Sequence, residues 1–466
     1  MELSDDIKVL KDLVIRLIKR VEELEFENAS LRAENADLRS KLSQNSKNSH
    51  KPPSSDGLSK KPALPKDAAK KSGGQIGHPG KTLKMVGKPD HVVVHHASQC
   101  PCCRRVFSSA DVQWVESKRQ VFDLPAPRLE VTEHQVGVIV CCGRQHEGVF
   151  PSAVAQPVQY GSRIKALSVL LNTDYKLPFE KIEQLLGDLY NCTFNESTAM
   201  SANSTCHEKL GAVETTIKSN IEASESANFD ETGMRVAGKL HWFHTASTRL
   251  FTHLFVHARR GREALESDAS LFKDYRGWAV HDCWESYFGF DNCSHALCNA
   301  HLLRELEALK QQNSKWAAQM HHFLLDLYQA TQKATQVVTN KDVWLHEYQH
   351  ICRQADAEES PPTQGKRGKP KKTKGRNLLE RLVKHHDAVL AFAFHQEVPF
   401  TNNQAERDIR CLKIKQKVAT SFRTLTGAQQ YARIQSFVST LRKHSMNVWQ
   451  NLIDVFDNKS IVFQYA

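Results

Sequence analysis

The chain has 466 residues, with 63 Lys and Arg against 52 Asp and Glu, a formal charge of +11 and a sequence pI near 9.0. This balance suits a polyanionic partner, and the length predicts about three domains. No stretch approaches the roughly 18 consecutive apolar residues of a membrane helix, and the N-terminus lacks the pattern of a secretory signal. We therefore exclude a transmembrane protein and expect a cytoplasmic one, whose twelve cysteines are thiols or metal ligands rather than disulfides.

Residues 1–43 carry a heptad repeat. A leucine recurs every seven residues from Leu3 to Leu38, and a β-branched series beginning at Ile7 holds the second seam position. Asn28 and Asn35 continue that second series, and a buried Asn at this position favours two parallel strands. The pattern predicts a leucine-zipper coiled coil that forms a homodimer or a higher oligomer, rather than a helix packed on the chain's own body.

Residues 44–90 are dense in Ser, Lys, Pro and Gly and nearly empty of large apolar groups. Such a segment cannot bury a core, so we predict a basic flexible linker. Its lysines either lie along phosphates or belong to a simple solvated tether.

Residues 91–155 contain two close groups of cysteines separated by strand-like alternation, and this resembles a zinc ribbon. Tetrahedral zinc takes four sulfur or nitrogen ligands, two from each tight turn. The predicted structural Zn²⁺ ligands are Cys100, Cys103, Cys142 and His146, with Cys102 and Cys141 as competitors and buried free thiols as the alternative. We expect a DNA-binding module here.

Residues 156–222 are predicted to form helices that are interrupted at Pro178 and between Asn191 and Asn195. A helix-turn-helix that reads a major groove has this form. The second helix is not rich in Arg or Lys, however, so ordinary helical packing is the simpler interpretation.

Residues 223–450 show the order of an RNase H-like core. Three antiparallel strands begin near Asp230, a helical stretch is predicted over 262–276, and a short apolar strand ends at Asp282. In this fold, acids on the first and fourth strands come together and hold Mg²⁺ (or Mn²⁺) through oxygen ligands.

The third acid is expected on a later helix, within Asn402-Asn403-Gln404-Ala405-Glu406. Asn402 or Asn403 caps this helix, and Glu406 follows in its first turn, from which its carboxylate can point back to the two aspartates. Asp408 is the rival within the same helix. Two metal ions about 4 Å apart on three carboxylates would support in-line phosphoryl displacement.

The separation between Asp282 and Glu406 predicts a helical insertion at about 298–395. It opens with Cys298 and His301 on one helix face; two ligands cannot close a zinc site, so we favour a packing role. The insertion also contains a basic loop at 359–376 that is expected to touch phosphate or to be a mobile solvated loop. The cations expected to contact DNA follow the third acid: Arg407, Arg410, Lys413, Lys415 and Lys417. Residues 451–466 are predicted to form a C-terminal tail.

Several motifs occur in one order along almost the whole chain: NSHKPPSSDG, GGQIGHPGK, YGSRIKAL, DETGMRVAGKLHWFHTAST, GWAVHDCWESYF, CNAHLLREL and VPFTNNQAERDIRCLKIKQKV. In this the chain resembles the transposases of insertion-sequence family 66. The resemblance implies a DDE transposase that cuts and joins DNA at the terminal inverted repeats of its element. On the matching motifs the catalytic triad is Asp230, Asp282 and Glu406.

The sequence thus predicts a multidomain α+β DNA transposase whose partners are the terminal repeats, target DNA, further copies of the chain and accessory proteins of the same element. Bound to DNA, it would associate with the bacterial nucleoid. Two alternatives belong to other classes: a dimeric DNA-binding regulator with a vestigial catalytic core, and a nuclease-like subunit that cuts only with a partner.

Overall fold

The computed structural model describes residues 7–43, 83–115, 117–333, 337–361 and 372–463. The chain separates into two compact units, one spanning Leu58–Glu130 and the other combining Met1–Gly57 with Val131–Ala466. The boundary at residue 130 falls inside the module predicted at 91–155. Most of the predicted linker at 44–90 lies outside the described residues.

Helix α1 spans Ile7–Ser43, where the heptad pattern predicts a helix. At about 1.5 Å per residue its length is about 55 Å. Leu17, Leu24 and Leu31 of the predicted seam are 55%, 46% and 52% exposed. A second helix covers such a stripe in a coiled coil, and the pairing of two copies stays a prediction.

The unit Leu58–Glu130 contains a turn that carries the first two predicted zinc ligands. Gln99 and Val106 form a β-bridge that closes the turn. Cys100 is half-buried and Cys103 is exposed. The backbone N–H of Cys103 donates to the Cys100 sulfur and lowers the pKa of that thiol, which favours a metal-binding thiolate.

The other unit begins its described β structure with a hairpin of strands β1 (Val138–Cys141) and β2 (Arg144–Glu147). Cys142 occupies the two-residue turn with φ 53°, a conformation typical of type I′ hairpins. The strand register places Cys141, rather than Cys142, on the same face as His146. Cys141 and Cys142 are both exposed, so the alternative of buried thiols does not hold for this pair.

A mixed sheet forms the centre of the larger unit. Its strands are β3 (Ser226–Val236), β4 (Lys239–Ser247), β5 (Thr252–His257), β6 (Trp278–His281), β7 (Ser294–Leu297) and the short β8 (Ser421–Phe422). The order is β5-β4-β3-β6-β7, and β8 pairs with β3. β3, β4 and β5 are antiparallel neighbours, whereas β6 runs parallel to β3 and β7 parallel to β6.

The connection between β5 and β6 differs from the prediction. The helix expected over 262–276 is limited to α6, Arg262–Leu265. Beyond it, the Ser270 hydroxyl accepts a hydrogen bond from the Phe272 backbone N–H at 3.1 Å. Such local side-chain bonds compete with helix formation, and the segment instead buries Leu271 and Phe272 in the core.

Helices that precede and follow these strands pack on the sheet and on one another in several buried clusters. They are α2 (Ser162–Thr173), α3 (Phe179–Tyr190), α4 (Glu196–Lys209), α5 (Gly211–Glu222), α12 (Asn403–Ala419), α13 (Leu425–Lys443) and α14 (Val448–Phe456). Val169 of α2, Phe229 of β3, Phe437 of α13 and Leu452 of α14 belong to one buried cluster. The predicted boundary at 451 therefore falls inside a helix that packs on the core.

The insertion after β7 is helical, as predicted. It contains α7 (Asn299–Lys310), α8 (Lys315–Lys333), α9 (Lys341–Glu358), α10 (Lys374–Lys384) and α11 (His386–Phe394). Its core includes Val280 of β6 and Leu297 of β7, so the insertion is anchored to β6, which Asp282 directly follows, and to the neighbouring β7. Most of the basic loop at 359–376 lies outside the described residues.

The α+β class is confirmed by these helices and the mixed sheet. Within the described ranges, no helix is both long enough and apolar enough to cross a membrane.

Candidate active site

Asp230 lies on β3, and Asp282 directly follows β6. The two strands are parallel neighbours, and their last paired residues are Asn228 and Val280. Each aspartate lies two residues beyond this pair, on adjacent strands spaced about 4.8 Å apart. The register therefore brings the first and second predicted acids side by side.

Glu406 reaches the same place from the first turn of α12. Asn402, the residue before this helix, is 1% exposed. Its side-chain amide donates to the carbonyl oxygen of Phe229 at 2.7 Å, and its carbonyl oxygen accepts from the Asn228 amide at 2.9 Å. Asn402 thus attaches the start of α12 to the segment of β3 just before Asp230.

The electrostatics of Asp230 reflect this crowding. Burial raises its pKa well above the ordinary value, and the negative charges of Glu231, Asp282 and Glu406 raise it further. A divalent cation would offset the electrostatic repulsion between these carboxylates. Three oxygen-donor groups also match the ligand preference of Mg²⁺. The acids present therefore fit a magnesium or manganese site.

Glu406 also lies beside the first turns of α7. Its Oε1 is buried and has no hydrogen-bond partner among the described residues. His301 Nδ1 is 3.8 Å and Arg304 Nη2 is 4.0 Å from this oxygen. A buried carboxylate oxygen at this distance from its neighbours retains capacity for a further ligand.

Glu231, which follows Asp230, is an acid that the sequence reasoning did not single out. Its carboxylate accepts from Arg260 at 2.6 and 2.9 Å and from the Tyr287 hydroxyl at 2.5 Å. Arg260 in turn lies 4.9 Å from the Trp242 ring and 4.3 Å from the Trp284 ring. The adjacent acids Asp230-Glu231 were the sequence feature that could have identified it. The ion pair with Arg260 gives Glu231 a structural role at the site.

Asp408, the rival third acid, has its own partners. It accepts hydrogen bonds from Ser247 at 2.5 Å and Thr252 at 3.0 Å. It also forms an ion pair with Lys443 at 2.6 Å, in which both side chains are nearly buried. These contacts join α12 to β4, β5 and α13, so Asp408 holds the helix in place and does not face the two aspartates.

The predicted DNA contacts separate into two groups. Arg407, Arg410, Lys413 and Lys417 are exposed, whereas Lys415 is 7% exposed. Spacings of three and four residues along α12 place Arg410, Lys413 and Lys417 on the same helix face as Glu406. The Lys415 side chain packs inward beside Tyr431, so its burial gives no support to the predicted DNA contact.

Lys413 lies close enough to Asp230 for their charges to interact. Partial burial of its ammonium group lowers its pKa, and the negative charge of Asp230 opposes that change. The basic stripe, defined as Arg410, Lys413 and Lys417, therefore begins beside the acids and runs along α12.

A cavity of about 230 Å³ opens beside Asp282. It is lined partly by Arg260, Trp284, His301 and Arg381. Cations and an aromatic ring next to carboxylates are a combination that suits a phosphate-bearing substrate.

Two family models match the chain. The model described as "Transposase IS66 family" matches residues 157–430, and a "Family of unknown function (DUF6444)" matches residues 12–84. None of the curated proteins compared with the chain matches it. The first match covers more than half of the 466 residues and includes Asp230, Asp282 and Glu406. The chain therefore belongs to the IS66 family of transposases.

Proposed function

We propose that this transposase cuts and joins DNA at the terminal inverted repeats of an insertion sequence, with Asp230, Asp282 and Glu406 as its catalytic acids. The observation that carries the proposal is the convergence of these three acids from β3, the end of β6 and the start of α12. The acids are far apart in the chain. The pairing of β3 with β6 supports the positions of Asp230 and Asp282, and the hydrogen bond of Asn402 to β3 supports that of Glu406.

The core that holds them is proposed to be RNase H-like. Three antiparallel strands followed by two parallel ones, in the order β5-β4-β3-β6-β7, support this assignment. The first acid on the central strand and the second at the end of its parallel neighbour are the positions that such a fold uses.

The three carboxylates would hold Mg²⁺ or Mn²⁺, which supplies positive charge at the scissile phosphate and activates the attacking oxygen. Asp230 and Asp282 provide ligands from the rigid sheet, and Glu406 closes the set from α12. Glu231 is neutralised by Arg260, and this limits the negative charge that the site must accommodate.

Cleavage forms a bond between a water oxygen and phosphorus while the bond to the 3′-oxygen breaks, and the released oxygen takes up a proton. In joining, this 3′-hydroxyl loses its proton and attacks a target phosphodiester, from which another 3′-oxygen leaves. Lys413 and Arg410 follow Glu406 on the same face of α12, where they would bind the flanking phosphates and orient the strand.

The remaining parts of the chain have supporting roles in this proposal. The exposed leucines of α1 would pair two copies, and the cysteine turns at residues 100–103 and 141–146 would bind structural Zn²⁺ in a DNA-binding module. Accessory proteins of the same element would assist. A dimer matches the need to hold two element ends together.

The test is strand transfer on a labelled duplex that carries the terminal repeat, with Mg²⁺ or Mn²⁺. We expect product with the wild-type chain and none with Glu406→Gln or Asp230→Ala, while binding to the repeat is retained. Glu347→Gln, in an exposed part of α9, is the matched control and should join normally.

Equal product from the wild type and Glu406→Gln would contradict the third acid, and joining by Asp230→Ala would contradict the whole assignment. If the wild type binds but does not join, addition of the element's accessory proteins should restore product. Failure with them present would favour a DNA-binding role.

A further inference from the structure

Three potential metal ligands from two elements meet at the edge of the acid cluster. Cys298 and His301 begin α7, and Glu406 lies in the first turn of α12. One ligand atom from each residue lies within 4.8 Å of the other two. The sequence presents Cys298 and His301 as a pair that is too small for a metal site, and the fold adds the third group. We propose that Cys298, His301 and Glu406 form a binding site for a zinc-like transition-metal ion.

The Cys298 sulfur is buried and accepts one backbone hydrogen bond. Its residue is 2% exposed and caps the N-terminus of α7. The Asn402 backbone N–H donates to its sulfur at 3.1 Å, whereas the His301 backbone N–H donates to the Cys298 carbonyl oxygen. Burial raises the pKa of the thiol to about 11, so a bound metal ion would displace the thiol proton. The Asn402 donor would then stabilise the negative charge of the metal-bound thiolate.

The separations are close to those that zinc requires. Bond lengths of about 2.0–2.3 Å in a tetrahedron place the ligand atoms about 3.3–3.6 Å apart. His301 Nδ1 and Glu406 Oε1 are 3.8 Å apart, and one ligand atom of each of the three residues lies within 4.8 Å of the others, so the side chains would move closer together to bind an ion. Arg304 Nη2 is 4.0 Å from the same glutamate oxygen, a distance that leaves the oxygen available to an ion.

The fourth position has room for a water molecule. Cys298 and His301 line the cavity of about 230 Å³ beside Asp282, and one water takes about 30 Å³. Sulfur and imidazole ligands select zinc over magnesium, whereas Asp230 and Asp282 offer oxygen alone. An ion here would compete for Glu406 with the catalytic set; this consequence rests on the proposed function, but binding of the ion does not.

The experiment uses the full chain without DNA, so that its outcome is independent of transposition. Co²⁺ is titrated into the metal-depleted protein, and near-ultraviolet absorption reports bonds between cobalt and thiolate. The variants are Cys298→Ser and His301→Gln, with Cys352→Ser as control, because Cys352 is buried in α9 away from the cluster. Thermal unfolding by circular dichroism checks that each variant is folded.

We expect Cys298→Ser to bind one Co²⁺ or Zn²⁺ fewer than the wild type and to lose part of the absorption band, while Cys352→Ser matches the wild type. His301→Gln should keep the band but weaken binding by roughly 100-fold. Identical stoichiometry and spectra for wild type and folded Cys298→Ser would overturn the proposal. An equal loss in Cys352→Ser would overturn it as well.

Discussion

Asn402→Ala tests how the position of Glu406 is maintained. The substitution removes two buried hydrogen bonds, one to the Phe229 carbonyl and one from the Asn228 amide. Each group left unpaired in the interior costs about 1–3 kcal/mol, so we expect a loss of about 4 kcal/mol in the free energy of unfolding. The start of α12 would then no longer be tied to β3, and Glu406 would lose its fixed distance from Asp230.

Asn203→Ala is the matched control. Asn203 is also buried, and its amide donates to Asn172 at 2.9 Å in a pair between α4 and α2. This substitution leaves one buried group unpaired, so it should cost about 2 kcal/mol in the free energy of unfolding without affecting the acids. Urea unfolding gives the stability of both variants.

The decisive readout is the Mg²⁺ dependence of strand transfer at a temperature at which both variants are folded. We expect Asn402→Ala to require at least about tenfold more Mg²⁺ for half-maximal joining, because a displaced ligand weakens the site. Asn203→Ala should show the wild-type Mg²⁺ dependence. If the two variants share one Mg²⁺ dependence, Asn402 contributes only to stability and the positioning argument is refuted.

Three further substitutions follow from the structure. Asp408→Ala should lower the free energy of unfolding by about 3–5 kcal/mol in urea, because it leaves the buried Lys443 ammonium unpaired; a stable but inactive variant would instead make Asp408 a catalytic acid. Burial and the nearby charge of Lys176 lower the pKa of Lys415 from 10.5 to about 8, so stability falls as pH decreases from 10.5 to 8 and stays reduced below. Lys415→Met should therefore be more stable than wild type at pH 7 by about 3 kcal/mol, with no gain above pH 10.5, and lower stability at pH 7 would contradict this. Lys417→Ala should reduce the salt dependence of DNA binding by about one phosphate contact in an ionic-strength series, and Lys415→Met should leave that slope unchanged.

Local sequence patterns predicted much of the fold. The heptad repeat of α1 and the three antiparallel strands that begin near Asp230 depend on residues close in sequence, and the structure has a helix and three strands at these positions. The segment after β5 was predicted less well. Its helix ends after Leu265, because local hydrogen bonding and burial of apolar side chains override helical propensity there.

For the candidate site, the sequence identified acids but not their environments. Asp408 and Glu406 share one helical turn, and the pattern alone made them rivals. Their separation depends on Lys443 of α13, which pairs with Asp408. In the same way, Lys415 has the charge of a DNA contact, but its position on α12 directs it toward Tyr431 and the interior.

The sequence by itself determined the α+β class, the approximate positions of the strands and the two aspartates at the strands, because periodicity and strand ends are local properties. Tertiary structure decided how the start of α12, with Glu406, is held beside them, through the contacts of Asn402 with β3. It also brought Cys298 and His301 to Glu406. These outcomes depend on contacts between residues distant in the chain, and such contacts form only when the insertion and α12 pack against the sheet.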